Sequence, residues 1–438
     1  MNKFWTIPFF LLVGVSILSI LIPEAPAIDS GAPVESGNVA WMLCAAAMVL
    51  LMTPGLAFFY GGMVSTKNVI STMLQSFISM GVISILWVVV GFSLAFGDSI
   101  GGIIGNPMTY FMFKGVGGTP SPTIGTTIPL LLFALFQLKF AIITPALITG
   151  SFAERVRFSG YLLFICLFSL LIYCPLAHMA WHPQGLLFKW GVLDFAGGTV
   201  VHISAGLAAL VGAMVLKQRK SHVDNESHNP ANIPFVILGT GLLWFGWFGF
   251  NAGSALAANA QGVLAFATTN TASAAAALAW VFFDAMRGRK ISAMGACIGA
   301  VVGLVAITPA AGFVSVPSSI FIGTFAAITS NLVVYWKTKT QLDDTLDVFP
   351  CHGVGGIVGM LCTALFAGSS FGGVIATGKM DLLVAHLKAL GIVSAFVIGG
   401  SYILYMLVNA LIPIRVKKEQ EEMGLDLSQH GEHLVSSL

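Results

Sequence analysis

Apolar residues run along this chain in long blocks broken by short polar stretches, with no sustained period-2 alternation of the kind a half-buried sheet would need. After an N-terminal block, eleven such blocks follow, and a helix that crosses a bilayer needs about 20 predominantly apolar residues. The pattern predicts helices over 39–63, 70–96, 124–152, 158–181, 195–216, 232–257, 264–286, 291–308, 314–336, 351–369 and 387–414. The expected fold class is an all-α polytopic membrane protein with eleven transmembrane helices.

The N-terminal block has a different character. Residues 1–28 read as a secretory signal peptide: Lys3 supplies the positive region, Phe4 to Ile22 the apolar region, and Ala25-Pro26-Ala27 a small-residue cleavage site. The alternative is an uncleaved first transmembrane helix. Residues 29–415 then form one eleven-helix domain and 416–438 a polar tail. With these spans, Lys67, Arg155, Arg157, Lys217, Arg219, Lys220, Arg287, Arg289, Lys290, Lys337, Lys339, Arg415, Lys417 and Lys418 fall on one side. Only Lys114, Lys189, Lys379 and Lys388 fall on the other. The positive-inside rule makes the richer side cytoplasmic. The mature N-terminus is expected outside and the C-terminus in the cytoplasm, as an odd number of spans requires.

Composition narrows the class further. Of 438 residues, 57% are hydrophobic and only 9% charged, and the mean hydropathy is +0.91. Soluble domains carry about 25% charged residues, which argues against a soluble enzyme. A net charge of +2 with no basic tract argues against a nucleic-acid partner. The 49 glycines suit close helix packing in lipid. Cys44, Cys166, Cys174, Cys297, Cys351 and Cys362 lie in or beside apolar runs without metal spacing, so they read as packing residues. No cofactor is expected.

A weak internal repeat is visible. Ile143-Thr144-Pro145-Ala146 recurs as Ile307-Thr308-Pro309-Ala310, and Asp194, Phe195 and His202 have a looser echo in Asp347, Phe349 and His352. The offsets of about 150 to 164 residues correspond to five spans. Copies separated by an odd number of spans insert upside down relative to one another, an architecture that places a substrate path at the repeat interface. Most charges sit in loops, and of the ionisable groups within or at the edge of the spans four stand out: Lys139, Asp194, His202 and His352. Each costs about 2.5–3.5 kcal/mol or more at membrane depth and normally faces a cavity or a partner. His202 and His352, matched by the repeat, would form a polar strip in an apolar bore; the alternative is two separately satisfied core histidines. Asp194 reads first as a cap on backbone N–H groups at Gly197-Gly198-Thr199, and it can at the same time bias a vestibule toward cations. Phe136 and Phe140 share one helix face, as do Phe250 and Ser254, and Trp181 ends the fourth span. Such rings read as packing or membrane-belt residues, or as walls that hold a small cation.

These residues resemble a known family. Asp194-Phe195-Ala196-Gly197-Gly198-Thr199-Val200-Val201-His202, followed by Ile203-Ser204-Ala205-Gly206, is similar to a signature of the ammonium transporters, the Amt/Mep/Rh group. So are Phe59-Tyr60-Gly61-Gly62, Ala153-Glu154-Arg155, Gly246-Trp247-Phe248-Gly249-Phe250-Asn251, His352-Gly353-Val354-Gly355-Gly356, and in the tail Gly424-Leu425-Asp426 with His430-Gly431-Glu432. The resemblance runs from residue 38 to about 433 and fits the bacterial Amt branch. It implies the ammonium transporter fold: eleven helices with an inverted five-helix repeat, assembled as a homotrimer with one pore per subunit in the cell inner membrane. It implies that Trp181, Phe140 and Ser254 form an outer substrate-binding site shaped by Asp194, that Phe140 and Phe250 stack as a gate beside Gln137, and that His202 and His352 are twin pore histidines. It also implies a PII-type cytosolic partner for the tail, where Glu419, Glu421 and Glu422 would form a docking surface. Lys139 departs from the family pattern; facing the pore it would repel a cation, so it is expected to snorkel or to meet a neighbouring subunit.

The function implied is transport of ammonium: NH4+ is recruited at the aromatic site and deprotonated, and NH3 crosses past the histidines with or without the proton. Metal ions lose their hydration without recompense in such a bore, whereas ammonium can shed a proton. Other readings are an ammonium sensor on the same fold and an electron-transfer protein with His202 and His352 as axial haem ligands. A membrane hydrolase lacks its motif, since there is no H-E-x-x-H.

Overall fold

Eleven apolar helices account for the eleven predicted blocks. They are α1 (Ser36–Met63), α2 (Thr66–Phe96), α3 (Leu130–Ser151), α4 (Phe158–Lys189), α5 (Gly198–Leu216), α6 (Ile233–Gly253), α7 (Ala260–Met286), α8 (Ala293–Ile307), α9 (Val316–Lys337), α10 (Phe349–Phe366) and α11 (Asp381–Leu411). All but α8 are long and apolar enough to cross a membrane. At 15 residues α8 is shorter, but almost all of it is buried within the bundle. The structure, a computed structural model, describes residues 3–22, 33–224 and 229–434. Residues 3–21 form a further helix whose apolar side chains are largely exposed. Its Trp5 ring lies 6.2 Å from Phe158. The expected cleavage site at residues 25–27 lies outside the described residues.

The boundaries follow local chemistry. Asn232, Asn259, Ser292 and Ser315 each accept a backbone N–H three residues on, at 2.9–3.2 Å, and so open α6, α7, α8 and α9. α3 begins at Leu130 rather than 124 because Pro129 holds an extended backbone before it. The preceding segment folds over this end of the bundle, with a small hairpin pairing Ser99–Ile100 with Ile104–Gly105. α5 starts at Gly198 rather than 195 because residues 194–197 are occupied as its cap.

The inverted repeat sets α1–α5 against α6–α10, with α11 outside it. α1 packs along α6. The two Ile-Thr-Pro-Ala motifs close α3 and α8, and Thr144 and Thr308 donate to carbonyls four residues back with equal geometry, 2.7 Å in both. α5 and α10 both open with a widened turn, Gly198–Ile203 and Phe349–Val354. Such turns recur at functional sites. The two helices then touch backbone to backbone: a Cβ added at Gly206 would lie 2.1 Å from the Gly353 amide nitrogen.

The tail folds back on the pole opposite Trp181. A short helix, Lys418–Met423, leads into a turn at Asp426–His430. The Asp426 carboxylate accepts the Ile70 and Ser71 amides at 3.0 and 2.7 Å, capping α2. Glu421 accepts from the Lys220 amide and the Arg415 guanidinium, and Glu422 pairs with Lys220 at 2.5 Å. Two of the three glutamates expected to form a docking surface are therefore engaged within the chain, while Glu419 is exposed.

Candidate functional site

The capped start of α5 organises one pole. The Asp194 carboxylate accepts the backbone N–H groups of Gly197, Gly198 and Thr199 at 2.8, 2.6 and 2.8 Å, and the Thr199 hydroxyl as well. Gly197 allows this turn because it sits at φ +115°, a conformation that L side chains rarely adopt. With four donors on it, the Asp194 carboxylate caps the start of α5. Its backbone oxygen accepts the Trp181 indole N–H at 3.1 Å, so the same turn orients that ring.

Trp181 forms one wall of a cleft of about 230 Å³. Gln137, Phe140, Phe195 and Ser254 also line it. The Ser254 hydroxyl donates to the Phe250 carbonyl at 2.9 Å, which leaves its oxygen lone pairs as acceptors. The Gln137 Oε1 is buried without a partner. The cleft thus combines aromatic faces with a hydroxyl whose lone pairs can accept, a set suited to a small cation that donates hydrogen bonds. Lys139 is not part of the lining; it shares a partly exposed strip with Leu131 and Leu135 on α3.

Below the cleft the rings form a column. Trp181 meets Phe140 edge-on at 5.8 Å, Phe140 overlaps Phe250 at 4.2 Å, and Phe250 lies 6.0 Å from His202. Phe140 and Phe250 are essentially fully buried and close the floor of the cleft. His202 and His352 follow, with ring centroids 5.4 Å apart, planes 21° apart, and their Nδ1 atoms 3.3 Å from each other. His202 Nε2 is buried and has no partner. Among the described residues no carboxylate bonds either ring, so nothing there offsets a buried positive charge.

Two features escape the sequence. Trp247 stacks on His202 at 5.3 Å and 18°, and its indole N–H donates to Thr308 at 2.9 Å. Trp247 lies within the Gly246–Asn251 motif, but nothing in that run of aromatics marks which ring faces the histidine. The second is the true repeat partner of Asp194, which is Asp344 and not Asp347. Asp344 lies eight residues before His352, as Asp194 does before His202. Its carboxylate accepts the Val348 and Phe349 amides at 3.2 and 2.8 Å and so caps α10. Asp347 instead pairs with Lys337 at 2.5 Å. The constant eight-residue spacing was the available signal.

Known proteins share this sequence and fold. A family model described as the Ammonium Transporter Family matches residues 40–434. An ammonium transporter of Aquifex aeolicus is 46% identical over 96% of this chain and 97% of its own length. An ammonium transporter of Bacillus subtilis is 44% identical over 91% and 98%. The crystal structure of Candida albicans Mep2 superposes with a TM-score of 0.83 at 33% identity, covering 91% of this chain and 90% of that one. The full-length match and the shared eleven-helix architecture make the chain a member of the ammonium transporter family.

Proposed function

We propose that this chain conducts ammonium nitrogen through the column that runs from Trp181 to His352. The observation that carries the reading is the unbroken sequence of a cation-suited cleft, a closed pair of phenyl rings and two histidines in mutual contact. Ammonium docks against Trp181 and Phe140 and donates to Ser254. Among the described residues, those that continue the column below the Phe140/Phe250 gate are His202, Trp247 and His352, which bring no ring of oxygens to replace lost water, so a charged ion meets the cost of dehydration. Ammonium avoids that cost by giving up a proton above or at the gate, and the proton follows along the facing Nδ1 atoms of the His202–His352 pair, so that transport carries current. Neutral ammonia then passes the histidines, where the unpartnered Nε2 of His202 accepts its N–H.

On this reading the Trp181 pole faces outward, because the basic residues gather at the opposite pole. Residues 1–28 act as a signal peptide, and the mature chain works in the cell inner membrane as a homotrimer, as the family resemblance implies. A PII-type regulator would meet the docked tail, with Glu419 presented and Glu421 already bonded to Arg415.

The test is the transient current across a solid-supported membrane after an ammonium step. Replacing His202 and His352 together by Leu should abolish the ammonium-driven current or admit K+. An unchanged current with K+ still excluded would sink the proposed role of the pair.

A further inference from the structure

His386 lies on α11, outside the inverted repeat, and is fully buried. Its two ring nitrogens serve different elements. Nδ1 lies 2.8 Å from the Met360 carbonyl oxygen on α10, and Nε2 lies 3.0 Å from the Leu193 amide nitrogen. A carbonyl oxygen can only accept and an amide N–H can only donate. The ring is therefore neutral, with its proton on Nδ1 and its Nε2 lone pair receiving Leu193.

Both ends of this clip lead to the proposed pore. Met360 is eight residues beyond His352 on α10. Leu193 immediately precedes Asp194, whose carbonyl orients Trp181 and whose carboxylate caps the helix that carries His202. The Leu193 side chain packs in a small cluster with Leu382 and Leu383, so α11 grips this turn by apolar contact as well.

We propose that His386 is a positioning residue for the ammonium cleft. Through its Nε2 acceptor it fixes the 193–197 turn, and through that turn the pose of Trp181 over Phe140. The Met360 arm anchors the ring to the other half of the repeat. This rests on the cleft being the ammonium site.

The two arms can be separated by substitution. Glutamine places an oxygen near the Nε2 position and keeps the acceptor for Leu193. Asparagine places its amide nitrogen near Nδ1, keeps the donor to Met360 and loses the acceptor. In proteoliposomes of the purified full chain, methylammonium uptake gives half-saturation and maximal rate. His386→Asn should raise the half-saturation concentration by roughly three- to tenfold, the scale of one lost hydrogen bond, with the maximal rate nearly unchanged. His386→Gln should restore most of that loss. Misfolding lowers the maximal rate without moving half-saturation, so a fall in rate alone overturns the proposal, as does equal half-saturation in the two variants. Trp181→Leu serves as the reference. If it shifts half-saturation while His386→Asn does not, only the role of His386 falls; if Trp181→Leu shifts nothing, the cleft is not the ammonium site and both readings fall.

Discussion

The geometry of the two histidines depends on a third ring beside them. Trp247 lies nearly parallel to His202 and is itself fixed by one hydrogen bond to Thr308. Thr308→Val would keep the shape but strand a buried indole N–H, at a cost of about 1–3 kcal/mol. We expect a lower maximal rate of ammonium transport with little change in half-saturation, because the cleft is untouched; uptake kinetics would show it. His202 and His352 were legible in the sequence because an ionisable group in an apolar run is costly and the repeat supplied its partner. Trp247 was not, because among Trp247, Phe248 and Phe250 only the fold decides which ring turns inward. Asp344 was missed for another reason: matching Asp and Phe by identity favoured Asp347 and Phe349, whereas the backbone conserves the distance from cap to histidine.

At the scale of elements, the apolar blocks located all eleven helices, and the errors lie at their ends. Hydropathy does not register a cap, so α5 was expected to begin inside its own capping turn, and Pro129 delays α3. The widened first turns of α5 and α10 leave no trace in periodicity, since one extra residue in a single turn of so short a stretch shifts no repeat of polar positions. What makes these two helices a pair is their contact at Gly206 and Gly353. Gly206→Ala would drive a methyl group into backbone that cannot rotate aside. Overpacking of a core typically costs about 1–3 kcal/mol, and here the relief is separation of the helices. The expected outcome is a membrane-inserted protein that has lost most of its ammonium current, measured against the amount of purified protein. Wild-type current would show that the close approach is dispensable.

Across the whole molecule, the halves of the repeat are tied at the pole opposite Trp181 by buried charge. Asp343, just before α10, bonds the Arg219 backbone and guanidinium at 2.8–3.0 Å, and Arg219 also binds Glu154 at 2.7 Å. Arg155 donates to the Asp343 carbonyl at 2.6 Å. Burial alone would raise the Asp343 carboxyl, but Arg155 and Arg219 outweigh it and hold the group well below the usual carboxylate range. A carboxyl depressed in the folded state adds stability above its unfolded value and loses it only as pH falls through the folded value. Asp343→Asn leaves two buried guanidinium groups short of a counter-charge and should cost about 3–5 kcal/mol. The deficit should appear in thermal unfolding in detergent at neutral pH and persist at about pH 4, near the ordinary Asp value. Closure of the gap at that pH would contradict the depressed carboxyl.

The contact between His202 and His352 has one more consequence. At 3.3 Å there is room for a single hydrogen between the facing Nδ1 atoms. Whichever ring owns it presents a bare Nε2, and the other presents Nε2–H. The pair therefore carries an arrow, and a proton handed along it would leave the arrow reversed. Successive protons in one direction would each require the couple to be rewound first, so charge and ammonia crossing here would share a stride set by two rings.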